Sequence, residues 1–260
     1  MAYKNPIPEL KEQTNLSFAT ETQTDYTQLK EVYFAFIDIL GFKNTFNDIK
    51  ISKNEEIADK YRDVFNYYFE LMDAAKFKGN GLSTGCYAGQ TSDSLYFYTE
   101  RTDYLMEFLK IFSHFNLYAM SKNVFFRGGI SKGNLYKREK FQFYGDSVIG
   151  AFLLESNISK NPIVTIDEKT HNDMTNRAEY NELVYDFQGR HIIKPFYYLD
   201  KKICLEIDEK FLIKEINDKD IKNHISENMK IFEFDENNYN KYAFLFKQIS
   251  GNSTIDERNE

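Results

Sequence analysis

The stretch FAFIDILGFKN, Phe34–Asn44, decides how this chain is read. With the Val-Tyr before it, VYFAFID is too short and too rich in β-branched and aromatic residues for a core helix, so it reads as a buried strand. The strand delivers one carboxylate, Asp38, and the pair Gly41-Phe42 follows closely behind. A lone acid in such a place is most often a turn or helix N-cap residue. Asp38 has company. A second acid, Asp93 in QTSDSLYFY, sits at the predicted turn before another apolar strand. If the two strands share a sheet, both carboxylates meet at one rim. Two carboxylates ~4 Å apart repel by ~4 kcal/mol at an effective dielectric of ~20, so one goes neutral unless a cation sits between them. Hard oxygen ligands in an open site suit Mg²⁺ or Mn²⁺, completed by water and substrate phosphates. The Gly41-Phe42 turn, opening a helix-forming segment, would offer backbone N–H groups to an anion.

The rest of the chain supplies a frame for that rim. Residues 1–28, with the Thr-rich FATETQTDYTQ, lack either period and read as an N-terminal lead-in. Ile57, Tyr61, Val64, Phe65, Tyr68, Leu71 and Met72 recur at three and four, which predicts an amphipathic helix from Asn54 to about Phe77. GLSTGCYAGQ and SDSLYFYTE predict two strands joined by a tight turn at Thr91 to Asp93. A second helix is predicted over Asp103–Lys122, capped by Thr102. VFFRGGISKGNLY predicts a strand whose Gly128-Gly129 pair allows close backbone approach. YGDSVIGAFLLES then reads as a short helix, PIVTID as a strand, and LVYDFQG with HIIKPFYYLD as a hairpin. Helices alternating with strands that include hairpins predict an α+β fold, a mixed sheet covered by helices on one face. Residues 29–200 form its core on this reading. Residues 201–260 read as a charged C-terminal extension, with a solvated helix around Asp218 to Lys230 and a closing aromatic helix in NNYNKYAFLFKQI.

Bulk composition narrows the function. The 260 residues suffice for a large core. Basic residues number 33 against 40 acidic, a net charge of −7, which argues against nucleic acid as the main partner because that binding needs cationic surface. No run of ~18 apolar residues predicts a membrane span, and MAYKNPIPELKEQTN has no signal-peptide pattern. Cys86 and Cys204 lie far apart without metal-type spacing, so a reduced, cytoplasmic protein is expected. The glycines of KGNGLSTG lack the strand, helix and Lys-Ser/Thr ending of a phosphate loop. His114, His171, His191 and His224 are scattered, and His114, inside an apolar helix, reads as a packed residue.

Four motifs now stand in order: FIDILGF with Asp38, SDSLYFY with Asp93, RGGISKG from Arg127 to Gly133, and YGDSVIGAFLLES from Tyr144 to Ser156. In that order they resemble class III nucleotidyl cyclases, and more closely the bacterial pyrimidine cyclases of Pycsar anti-phage defence. The resemblance covers roughly residues 33–200. It implies a ferredoxin-like sheet of the class III cyclase catalytic domain, and a head-to-tail homodimer with sites at the interface. Asp38 and Asp93 match the metal-binding aspartates, Ile39 the position whose backbone carbonyl joins one ion, and Phe42 the turn that approaches the triphosphate. Two Mn²⁺ or Mg²⁺ ions per site would serve an attack of the ribose 3′-hydroxyl on the α-phosphorus, with pyrophosphate leaving.

Departures from the resemblance are informative. Relatives that cyclise purines carry an Asn and, four residues on, a transition-state Arg in the helix after YG. Ile149 and Leu153 hold those positions here. Such an Arg is worth ~10³ to 10⁵ in rate, about 4 to 7 kcal/mol, so another cation is needed, with Arg127 the candidate and Lys132 its understudy. Tyr87 and Gln142 occupy the base-reading positions, and a tyrosine there would narrow the pocket for a smaller ring. The resemblance thus implies a pyrimidine nucleoside triphosphate as substrate, UTP favoured and CTP possible, its cyclic product read by a separate effector. The alternative is a non-catalytic cyclase-like nucleotide sensor, and another palm-type phosphotransferase is a third reading.

Overall fold

The computed structural model describes residues 27–42, 55–74, 86–137, 143–199 and 213–250. Gln142, Cys204, the glycines of KGNGLSTG and most of the lead-in lie outside the described residues. The strands are β1 Thr27–Ile39, β2 Cys86–Thr91, β3 Ser94–Thr99, β4 Phe126–Lys137, β5 Phe143–Tyr144, β6 Val164–Ile166, β7 Val184–Asp186 and β8 His191–Ile193. The helices are α1 Glu55–Ala74, α2 Thr102–Ser121, α3 Asp146–Leu153 followed by a π-turn Leu154–Ile158, α4 Glu168–Met174, α5 Ala178–Leu183, α6 Asp218–Ile231 and α7 Glu236–Ile249. The fold class is α+β, as the alternation predicts. Strand order is β2-β3-β1-β4-β6-β8-β7, with β5 paired to β4. Every pairing is antiparallel except β4 with β6. The first four strands, joined through α1 and α2, give the ferredoxin-like β-α-β-β-α-β arrangement. Strand β1 starts at Thr27, inside the expected lead-in, and pairs there with Lys137 of β4.

Alternation along β1 divides the sheet into two faces. Tyr33, Ala35, Ile37 and Ile39 join Leu95, Phe97 and Phe126 beneath α1 and α2 in the main core. Val32 and Phe34 turn the other way, to Tyr96, Tyr98, Leu135 and Ala151. The last of these belongs to α3. Coverage by helices on one face is therefore corrected: α3 lies against the second face, over β4 and β1. Glycine makes this possible. A Cβ on Gly129 would stand 2.2 Å from the Ala151 carbonyl oxygen, so the helix rests on bare backbone.

The Thr102 cap is corrected too. Arg101 is the N-cap of α2 and makes no side-chain capping bond. Thr102 begins the helix, and its hydroxyl accepts from Arg177 at 2.8 Å. Helices α6 and α7 pack on the opposite side of α2, where Leu117, Met120 and Phe125 meet Ile221, Ile225, Tyr242 and Leu245. The segment from Asp218 to Lys230 is a helix as predicted, but it carries a buried stripe rather than a wholly solvated surface.

His114 lies within α2 beside α1, 2.9 Å from the Tyr67 hydroxyl. Burial pushes its pKa down to about 4. Unfolded, the ring gains a proton near pH ~6.5. The stabilisation that requires a neutral ring is therefore whole above that value and shrinks as pH falls toward 4, by roughly 3 kcal/mol. His114→Phe is expected to flatten this acid dependence. The check is urea unfolding of both proteins between pH 4 and 7. A stability difference that does not change with pH contradicts the assignment.

Candidate active site

The site begins with strand register. Asp38 stands across from Ser94 of β3 and across from Arg127 of β4. Side chains directly opposite each other share a sheet face, so all three lie on the α3 side. Ser94 Oγ donates to Asp38 Oδ1 at 3.0 Å, and Arg127 Nη2 lies 3.8 Å from Asp38 Oδ2. Asp93 directly precedes Ser94, in the two-residue turn that follows β2. Its neighbour Ser92 holds a left-handed φ of 55°, and the Ser92 carbonyl accepts from Gln90 Nε2 at 2.7 Å.

Electrostatics ties the two acids together. Burial lifts the Asp38 pKa above the usual carboxylate range, and the Asp93 charge adds to the lift. The Ser94 hydroxyl, Arg127 and the Ile39 backbone N–H oppose it. Asp38 thus sits in a field that disfavours its own charge unless a cation is supplied. Arg127 supplies only part, because its Nε is 2.6 Å from Glu155 Oε1. Those two atoms meet at ion-pair distance without hydrogen-bond alignment. The Glu155 side chain is 4% exposed; burial raises its pKa, Arg127 lowers it, and Asp38 and Asp93 raise it further. Three carboxylates therefore sense one another around one guanidinium.

Glu155 is the member that sequence reasoning missed. It falls in LLES, where a charge reads as the outer side of a helix end. Its inward turn is a product of the π-turn Leu154–Ile158, a backbone form that recurs at functional sites. The only sequence signal was an acid directly after two leucines at the end of an apolar helix.

The remaining predicted residues divide. Ile39 buries its side chain in the core. Gly41 takes a φ of +78°, and Phe42 packs edge-on against Tyr61 at 5.3 Å between centroids. Tyr87 lies on the Asp38 face, stacked with Tyr98 at 5.6 Å and Tyr96 at 6.0 Å, and tilted against Phe143 at 6.0 Å. Between this group and the rim, Phe36 meets Phe152 of α3 at 5.8 Å. Lys132 is not brought to the rim. It stands opposite Tyr33 on the other face, bonded to Asp173 at 2.8 Å and Glu31 at 3.1 Å, and those partners set its charge to other work. Gln142 lies outside the described residues. Ile149 and Leu153 are 60% and 47% exposed, and with Tyr144 and Phe152 they form an apolar patch on the outside of α3.

A divalent cation fits the chemistry of this donor set. Among the described residues no group of three or more His, Cys, Asp or Glu is placed to hold a metal. Mg²⁺, however, is ordinarily bound through one or two carboxylates plus water and substrate phosphates, and the adjacent Asp38 and Asp93, with a desolvated carboxyl between opposing fields, meet that requirement. Among the described residues no helix is long and apolar enough to cross a membrane.

Fold and rim together define a ferredoxin-like α+β protein with two aspartates and one arginine gathered at a strand end. No family model matches the chain, and no curated protein matches it. Among solved structures, it is similar to the crystal structure of an adenylate/guanylate cyclase/hydrolase from Silicibacter pomeroyi, with 15% identity over 64% of this chain and 96% of that one, at a TM-score of 0.43. Likeness at that level assigns no chemistry to individual residues.

Proposed function

We propose that this protein is a nucleotidyl cyclase that converts a pyrimidine nucleoside triphosphate, UTP ahead of CTP, to the 3′,5′-cyclic nucleotide and pyrophosphate. The observation that carries the reading is the register placing Asp38 opposite both Ser94, next to Asp93, and Arg127. The motif order of the sequence supports it. Asp38, Asp93 and the Ile39 carbonyl would hold Mn²⁺ or Mg²⁺, two ions per site, which would acidify the ribose 3′-hydroxyl and neutralise phosphate charge. Asp38 is held ready by Ser94 and the Ile39 N–H. Arg127 offers positive charge to the phosphorus undergoing attack, and the buried Glu155 carboxylate holds its guanidinium near the rim by charge. The turn at Gly41-Phe42 brings backbone to the triphosphate. Tyr87 and its aromatic neighbours receive the base, where a wide purine competes with rings already in contact.

The exposed patch of Tyr144, Ile149, Phe152 and Leu153 is the homodimer surface on this reading. The cyclic product acts in the cytoplasm as an anti-phage signal to a separate effector. The test is incubation of the purified protein with Mn²⁺ or Mg²⁺ and each of the four NTPs in turn, with products separated and weighed by mass spectrometry. A cyclic pyrimidine monophosphate is expected, with specific activity falling on dilution as dimers part. Nucleotide binding without turnover would replace this reading with that of a sensor module, which the apolar Ile149 and Leu153 favour. Linear or two-nucleotide products would point to another phosphotransferase.

A further inference from the structure

A second region of the molecule concentrates cations. An open pocket of about 310 Å³ lies between the π-turn after α3, the loop joining β7 to β8, and α7. Lys160, Arg190 and Lys241 line it together with the amides of Asn157 and Asn240 and the ring of Phe187, and among the described residues no carboxylate lines it. In a chain of net charge −7, three basic side chains without an acid on the same wall form a local positive field.

Two of these cations are oriented by neutral oxygens, and among the described residues neither forms an ion pair. Arg190 Nη1 donates to the Ile158 carbonyl at 3.2 Å, and Lys241 Nζ donates to the Asn238 side-chain oxygen at 2.7 Å. The acid whose charge reaches Lys241 is Asp235, whose carboxylate accepts from the Asn238 backbone N–H at 3.2 Å and side-chain amide at 2.7 Å. Burial is the main cause lowering the Lys241 pKa, and the charge of Arg127 lowers it further. Phe187 is braced edge-on by Phe244 of α7 at 5.3 Å. A guanidinium, two ammonium groups and amide donors suit phosphate oxygens, which accept several charge-assisted hydrogen bonds at once. The volume stands at the lower end of the ~300 to 1,000 Å³ typical of small-molecule sites, which limits the occupant to one phosphorylated unit.

We propose that this pocket binds a small phosphate-bearing anion, a nucleoside monophosphate or pyrophosphate, at a site that neighbours the Asp38 rim but draws on none of its side chains. The C-terminal helix α7 thereby acquires a binding role, since it contributes Asn240 and Lys241. The inference goes beyond the cyclase reading and does not depend on it.

Titration calorimetry of the full chain in EDTA, with pyrophosphate and with UMP as separate probes, tests it. Binding of at least one probe is expected, weakening as salt is raised. Each of Lys160→Gln, Arg190→Gln and Lys241→Gln is expected to weaken it about tenfold or more, with circular dichroism confirming that each variant is folded. The double variant Asp38→Asn/Asp93→Asn is expected to bind at least as tightly as wild type, which distinguishes this pocket from the carboxylates of the rim. Preference for UMP, reduced by Phe187→Leu, identifies a nucleotide occupant; preference for pyrophosphate, indifferent to that change, identifies the bare anion. Binding of neither probe, undiminished binding by the triple cation variant, or loss of binding in the double aspartate variant would overturn the proposal.

Discussion

Asp38→Asn is expected to reduce cyclic-nucleotide synthesis by about 10³-fold or more while leaving the fold intact. The asparagine keeps an oxygen to accept from Ser94 Oγ, which now donates at 3.0 Å, and it removes the charge that Asp93 opposes. Stability should therefore hold or rise slightly, as relief of repulsion between like charges requires. Asp93→Asn, on the other side of the same repulsion, should behave alike in activity. Product yield at saturating Mn²⁺, compared with the urea midpoint of the same samples, separates loss of chemistry from loss of structure. Retention of activity within tenfold of wild type in either variant would remove the acid pair from the mechanism.

Arg127→Met carries the largest expected effect on stability. It leaves the Glu155 carboxylate, 4% exposed, with no countercharge from that guanidinium. Breaking a buried pair in this way costs about 3 to 5 kcal/mol. Because burial already raises the folded pKa of Glu155 and Arg127 is the charge that lowers it, the variant's folded state should bind that proton even more readily. A raised folded pKa means that stability falls as pH climbs from the unfolded value toward the folded one. The deficit should thus be largest at neutral pH and smaller near pH ~3, below the unfolded value of ~4.3, where Glu155 is protonated in both states. Adding Glu155→Gln to Arg127→Met should restore much of the stability and none of the activity. Urea unfolding of the two single variants and the double variant at both pH values gives the coupling directly. Equal deficits at the two pH values would show that the lost packing of the arginine stem, rather than the orphaned acid, dominates.

The elements legible in the sequence are those whose signal is local. The apolar run ending at Asp38, the turn at Ser92-Asp93, the periodicity of α1 and α2, and the aromatic closing helix α7 all carry their pattern within a few residues. The meeting of Asp38 with Ser94 and Arg127 follows from register, once β1 is placed between β3 and β4. What stayed hidden depends on distant partners. Which side of the sheet α3 covers is decided by contact between Ala151 and Gly129, and the helix pattern alone suits either side. Thr102 has the chemistry of a cap, yet its hydroxyl is claimed by Arg177, remote in sequence. Helices α4 and α5 are short and charged, with too few turns for a periodic signal. Glu155 faces inward because a π-turn rotates it, and no side-chain pattern announces that rotation.

Helix α2 has a bearing on how the chain is made. Every residue from Ile111 to Met120 is buried, because the sheet and α1 claim one flank while α6 and α7 claim the other. During synthesis, the first flank can be satisfied as soon as the early strands are out of the ribosome. Leu117 and Met120 must wait for Ile221, Ile225 and Leu245, which emerge much later than α2. A nascent chain still lacking α6 and α7 therefore presents a greasy ridge to the surrounding solution, which makes it a target for chaperones.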